Sequence, residues 1–175
     1  MFISKSIYRG YYKTKYMAMA GLLAAVITVT TAYLGHIPIG INGGYIHMGD
    51  AFVYLAAALL PKPYALLAAA VGAGLADLLT APAWVPATVI IKMLLVLLFS
   101  NRKKKTVNIT NIMSTIAAIP VSCIGYYIAE VLLFEQGAVF WVSVAQTAVQ
   151  SGGSAVVFIL VGETLDKMRF KERFL

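Results

Sequence analysis

Leu59-Leu60-Pro61-Lys62-Pro63-Tyr64 interrupts what would otherwise read as one long apolar helix over residues 51–76. A proline lacks the backbone N–H of the helical ladder, its ring clashes with the preceding turn, and it pushes the residue before it out of helical geometry. Two prolines around a lysine therefore predict a tight turn, with the ammonium at the level of lipid headgroups. Working outward from that turn, apolar runs separated by short polar breaks predict six helices, at about 16–34, 49–60, 63–79, 87–100, 112–134 and 139–164. A membrane crossing takes about 20 apolar residues, fewer over thinned bilayer. The second and fourth helices are short by that measure.

Composition points the same way. The 175 residues are 61% hydrophobic and 12% charged, with a mean hydropathy of +0.83, whereas soluble domains carry about 25% charged residues. The chain reads as a single transmembrane domain, 1–175, with no soluble domain, long linker or low-complexity segment; 101–111 is a basic turn. Net charge is +7, but the cations lie in tails and turns rather than on a recognition element, which argues against nucleic acid as a partner. Lys5, Arg9, Lys13 and Lys15, then Lys62, Arg102-Lys103-Lys104-Lys105, and Lys167, Arg169, Lys171 and Arg173 all fall on one side if the chain crosses six times. The loops of the other side then hold no Lys or Arg, and a five-crossing layout misplaces a cluster. The expectation is an all-α, polytopic membrane protein with six transmembrane helices and both termini cytoplasmic. The basic start followed by an apolar run resembles a signal peptide, yet the run is too long and lacks a small-x-small cleavage site, so it reads as a retained first span. A lone Cys123 offers neither an intrachain disulfide nor a thiolate metal set.

Lys92 is the one cation inside an apolar segment, which is costly unless it faces a wet cavity or a partner. Asp50 opens the second helix, Asp77 closes the third and Glu130 lies near the outer end of the fifth. Thr88 and Lys92 share a face of the fourth helix; Ser122, Tyr126 and Glu130 share one of the fifth. Ser143, Gln146, Thr147, Gln150 and Ser154 share one of the sixth. Three polar stripes predict a common cavity open to the outside, since lipid-facing amides and charges would be unsatisfied. Bland readings stand beside this one. Gln146 and Gln150 are either interhelical glue or ligand contacts, and Lys92 and Glu130 either pair with each other or face a ligand. Tyr126, Tyr127 and Trp84 fit an interfacial belt as well as a site. His36 reads as a headgroup-level loop residue, and His47 as loop or site. Asp50 reads as a cap or first-turn anion on the helix dipole. No His/Cys/carboxylate set has metal-ligand spacing, no HExxH occurs, and Gly72-Ala73-Gly74 lies in a helical pattern without a GKS or GKT. The chain is expected to bind no metal or cofactor and to be no enzyme. A stand-alone carrier with Lys92 and Glu130 on an ion path remains an alternative.

Gly44-Tyr45-Ile46-His47-Met48-Gly49-Asp50-Ala51, Gly74-Leu75-Ala76-Asp77-Leu78-Leu79, Trp84-Val85-Pro86-Ala87-Thr88-Val89-Ile90-Ile91-Lys92, Gly125-Tyr126-Tyr127-Ile128-Ala129-Glu130 and Gln150-Ser151-Gly152 follow one another along the chain. In that order they resemble the substrate-binding S components of energy-coupling factor (ECF) vitamin transporters, nearest the hydroxymethylpyrimidine and pyridoxine branch. The resemblance implies a multi-pass protein of a prokaryotic plasma membrane that binds a vitamin near the outer surface. It also implies docking on a transmembrane coupling protein with two cytoplasmic ATPases, which use ATP and Mg. Trp84 and Tyr126 would stack a small heteroaromatic ring. Lys92, Glu130, Gln146 and Gln150 would bond its edges, Asp77 would join the set, and Asn42, Tyr45 and His47 would close over it. Ala20, Gly21 and Ala24, in a small-xxx-small pattern with an overlapping copy at Gly21 and Ala25, would meet the coupling protein. One departure is Gln146-Thr147-Ala148-Val149-Gln150, where this branch often has Pro-Asn ahead of the Gln. Riboflavin, which needs a larger pocket, is the alternative ligand.

Overall fold

Alanine and glycine let helix backbones approach closely where lipid leaves no hydrophobic drive between helices, and that packing organises this chain. The computed structural model describes residues 2–34, 37–38, 45–135 and 140–174, with side chains from Tyr12 onward except those of Pro38, Tyr45 and Ile46. Helix α1 (Phe2–Ala32) is followed by a short antiparallel ladder, β1 (Ile37–Pro38) on β2 (Tyr45–Ile46), with Ile37 opposite Ile46. Then come α2 (Asp50–Leu59), α3 (Lys62–Thr80), a 3-10 turn (Pro82–Trp84), α4 (Val85–Leu98), α5 (Ile109–Phe134), α6 (Phe140–Lys167) and the short α7 (Phe170–Phe174). Helix α1 starts at Phe2, well before residue 16, in a stretch with no proline to stop it.

Among the described residues, four helices are long and apolar enough to cross a membrane: Tyr12–Ala32 within α1, α3, α5 and α6. This is a membrane protein, and α2 and α4 are apolar but shorter than a full crossing. The ten residues of α2 rise about 15 Å, half of the roughly 30 Å hydrocarbon thickness. Nine of those ten residues are buried, so α2 is walled in by α1, α3, α4 and α6.

Helices α1 and α3 pack through small residues. Ala20, Ala24 and Ile27 of α1 are buried against the face of α3 that carries Ala65, Ala68, Ala69 and Ala73. A Cβ on Gly72 would lie 2.8 Å from the Ala24 carbonyl oxygen. Thr28 Oγ1 bonds both the Ala24 carbonyl (3.0 Å) and the Gly72 carbonyl (2.9 Å).

The turn at Pro61 is where the proline pair puts it, but Lys62 does more than mark the headgroup level. Its Nζ donates to the carbonyls of Val96 and Phe99, both at 2.5 Å, sealing the open end of α4. Tyr16 meets Tyr64 with ring centroids 5.5 Å apart, so α1 and α3 begin at the same end. The α4–α5 loop and the end of α6 lie there too, joined by Asp166 bonds to the backbone of Thr106 and Val107. The described cations other than Lys92 gather at this end, while Asp50, Asp77 and Trp84 stand at helix termini of the opposite one.

Candidate functional site

Just before α2, the Gly49 N–H donates to His47 Nδ1 at 3.0 Å. The neutral imidazole then carries its proton on Nε2. A Cβ on Gly49 would sit 1.9 Å from Thr31 Oγ1 of α1, so only glycine lets α2 begin this close to α1. The turn aims Asp50 into the bundle, where it is 0% exposed.

Asp50 Oδ1 meets Lys92 Nζ of α4 at 2.6 Å. Asp50 Oδ2 accepts from Gln150 Nε2 of α6 at 3.2 Å. Lys92 Nζ also stands 5.0 Å from the centroid of the Tyr126 ring of α5, within cation–π range. The Tyr126 hydroxyl is 3.3 Å from Thr88 Oγ1. Trp84 lies 6.0 Å from Tyr126 and 5.2 Å from Phe134, centroid to centroid. One turn further along α2, Tyr54 comes beside Ser151. Its ring stacks on Phe99 at 4.8 Å and meets the edge of Phe158 at 6.1 Å, closing the cluster toward the basic end.

Helix hydroxyls elsewhere in the chain bond back to their own helix: Thr28, Thr80, Ser114 and Thr164 each reach the carbonyl four residues earlier. Ser122 and Ser154 are fully buried in the bundle and make no hydrogen bond among the described residues. The polar stripes of α4, α5 and α6 thus turn inward, and Asp50 of α2 completes them.

Two expectations change here. Lys92 pairs with Asp50, not Glu130, because the enclosed α2 sets its first carboxylate directly against α4, while Glu130 lies a turn beyond Tyr126 and half-buried. Asp50 is accordingly more than a first-turn anion. A dipole partner has no need of complete burial against an ammonium. Its signal in the sequence is the demand for an anion made by Lys92, but Asp77 and Glu130 answer that demand equally well on paper. The cluster is also covered rather than open to the outside, since attraction between the two charges draws α2 and α4 together and leaves neither residue exposed.

Of the other expected residues, Asp77 is buried, 4% exposed, within electrostatic reach of Tyr126. Gln146 is half-buried one turn before Gln150. His47 is buried at the root of α2. Tyr45 stands in β2 opposite Pro38, its side chain outside the described set; Asn42 and His36 lie outside the described residues. Ala20 and Ala24 face α3, whereas Gly21 and Ala25 are exposed and a Cβ on Gly21 would meet nothing within 4 Å. Cys123 packs with Sγ 3.6 Å from the Val144 carbonyl. Among the described residues, no group of three His, Cys, Asp or Glu side chains stands close enough to hold a metal ion.

A family model described as ECF-type riboflavin transporter, S component, matches residues 11–167. No curated protein matches the chain. The matched family is the riboflavin type, the alternative ligand reading above, and it does not single out the hydroxymethylpyrimidine and pyridoxine branch. Running from the first helix to the last turn of α6, the match shows that the chain belongs to the ECF-type riboflavin transporter S-component family.

Proposed function

We propose that this chain is the substrate-binding subunit of an ATP-driven importer, taking a heteroaromatic vitamin from outside and delivering it through partner subunits. The observation that carries this is the buried constellation of Asp50, Lys92 and Gln150, bordered by Tyr126 and Trp84, at the end opposite the cations. A carboxylate accepts a ring N–H, while an ammonium and an amide donate to ring carbonyls. Set side by side, they suit the imide or amide edge of a flat ring whose faces rest on aromatic side chains. A buried site of this kind rejects analogues that leave one of its polar groups unpaired. Riboflavin is the first candidate, on the strength of the family. A smaller pyrimidine or pyridine vitamin is the second, favoured by how tightly the cluster is closed.

The reading has six crossings with both termini in the cytoplasm, in a prokaryotic plasma membrane, the short α2 and α4 being carried inside the bundle. The segment with Asn42, Tyr45 and His47 closes over the ligand. The chain itself hydrolyses nothing and holds no cofactor; ATP and Mg are used by two ATPases joined through a transmembrane coupling protein. The outward small residues Gly21 and Ala25 of α1 are the docking face, since Ala20 and Ala24 are occupied by α3.

Flavin fluorescence tests the reading, because stacking on Tyr or Trp quenches it. Detergent-extracted protein should quench riboflavin saturably at one site, and the Asp50→Asn/Lys92→Met variant should not. Absence of saturable binding for riboflavin, pyridoxine and hydroxymethylpyrimidine alike would sink it. Uptake that persists without the ATPases would favour a stand-alone carrier.

A further inference from the structure

At the basic end of the bundle, the loop between α4 and α5 is held in one shape by side chains from three helices. Asp166 of α6 accepts from the N–H groups of Thr106 (2.7 Å) and Val107 (2.9 Å). The Asn111 side chain accepts from the Ser100 N–H at 2.8 Å and donates to the carbonyls of Ser100 (3.0 Å) and Thr106 (2.9 Å). Lys171 of α7 donates to the carbonyls of Asn101 (3.0 Å) and Lys103 (2.8 Å). A run of like charges ordinarily repels itself and stays loose. Here Arg102, Lys103, Lys104 and Lys105 are all exposed on a backbone pinned at both ends of the run.

The pinning depends on a turn with a conformational cost. Arg169, between α6 and α7, has φ 52°, in the left-handed region where glycine is the unstrained choice. That turn brings Phe170 against the core and Lys171 onto the loop, leaving the charge of Arg169 exposed beside them. Among the described residues, the exposed acids near this end are Glu163 and Glu172, whereas the Asp166 carboxylate is turned into the loop.

Directly below the cations, the start of α5 presents an apolar stripe: Ile109, Met113 and Ile116 are 73%, 54% and 55% exposed. Fixed cations above a lipid-facing apolar flank match an amphiphile with an anionic head, because phosphate is drawn to Lys and Arg at the headgroup level while acyl chains lie along the helix. An acidic protein surface would meet the charges but leave the stripe without a counterpart.

We propose that the clamped loop and the α5 flank form a site for one anionic phospholipid, its phosphate on Arg102–Lys105 and its acyl chains along Ile109, Met113 and Ile116. The proposal depends on the membrane setting and not on which vitamin is bound.

Native mass spectrometry of the detergent-purified full chain tests it, with phosphatidylglycerol titrated against phosphatidylcholine of the same acyl chains. The unaltered protein should retain one phosphatidylglycerol with about tenfold preference. R102Q/K103Q/K104Q/K105Q, which changes only exposed side chains, should abolish that preference. Asp166→Ala, which keeps every cation but releases the loop, should weaken it several-fold. Equal retention of the two lipids by the unaltered chain, or an unchanged preference in the quadruple variant, overturns the site. So does a quadruple variant that loses assembly with the energising module while keeping its lipid preference, since the surface then belongs to a protein.

Discussion

An ammonium and a carboxylate 2.6 Å apart with almost no exposed surface have given up their hydration and regain each other, with the Gln150 amide on one side and the Tyr126 ring on the other. Removing one partner of such a pair strands a buried charge at about 3–5 kcal/mol, whereas replacing both by neutral groups is often tolerated. Lys92→Met should therefore lower the melting temperature sharply, and Asp50→Asn/Lys92→Met should recover most of the loss while still failing to bind flavin. Thermal melts in detergent beside fluorescence titrations check this; a double variant melting as low as the single one would show the penalty lies elsewhere. Tyr126 separates two contributions. Tyr126→Phe gives up the hydroxyl, with its 3.3 Å contact to Thr88 and its reach to Lys92, about 1 kcal/mol, while Tyr126→Ala also loses the ring beside Trp84. The first should weaken flavin binding by no more than about fivefold and the second by clearly more; equal effects would place the ring off the ligand. Lys92 is legible in the sequence because a lone charge in an apolar run is conspicuous. Asp50 is not, since pairing across the bundle depends on a helix being enclosed, and no local pattern encodes enclosure.

Among the elements, α1 has two small-residue faces one position apart, which a sequence cannot tell apart: both satisfy small-xxx-small spacing. Which one turns inward is settled by partners far along the chain, above all the bond from Thr28 to the Gly72 carbonyl. Leucine at Ala20 or Ala24 would crowd α3 and damage the fold. Gly21→Leu, set where an added side chain meets open space, should leave melting and ligand binding unchanged while abolishing ATP-dependent uptake in cells that express the ECF module. Normal uptake would move the docking face off this helix. The break at Pro61-Lys62-Pro63 is fully legible, because proline acts on its own neighbours. The capping of α4 by Lys62 is not, because its acceptors, Val96 and Phe99, are reached only after two further helices have folded back.

For the molecule as a whole, cations at one end and the polar cluster at the other give a direction across the membrane. Single cysteines introduced in a Cys123→Ser background check it: Lys104→Cys should react with an impermeant maleimide only in inside-out vesicles, and Thr80→Cys only in intact cells. Reversed labelling would turn the protein over and put its ligand cluster on the cytoplasmic side. The contact between Thr31 and Gly49 has a mechanical consequence. Helix α1 carries the outward strip that a partner would grip, and its far end bears on the peptide just ahead of Asp50 with no slack for even a methyl group. Any tilt of α1 would therefore press on the turn that sets Asp50 against Lys92, because a rigid contact passes displacement on where a loose one absorbs it.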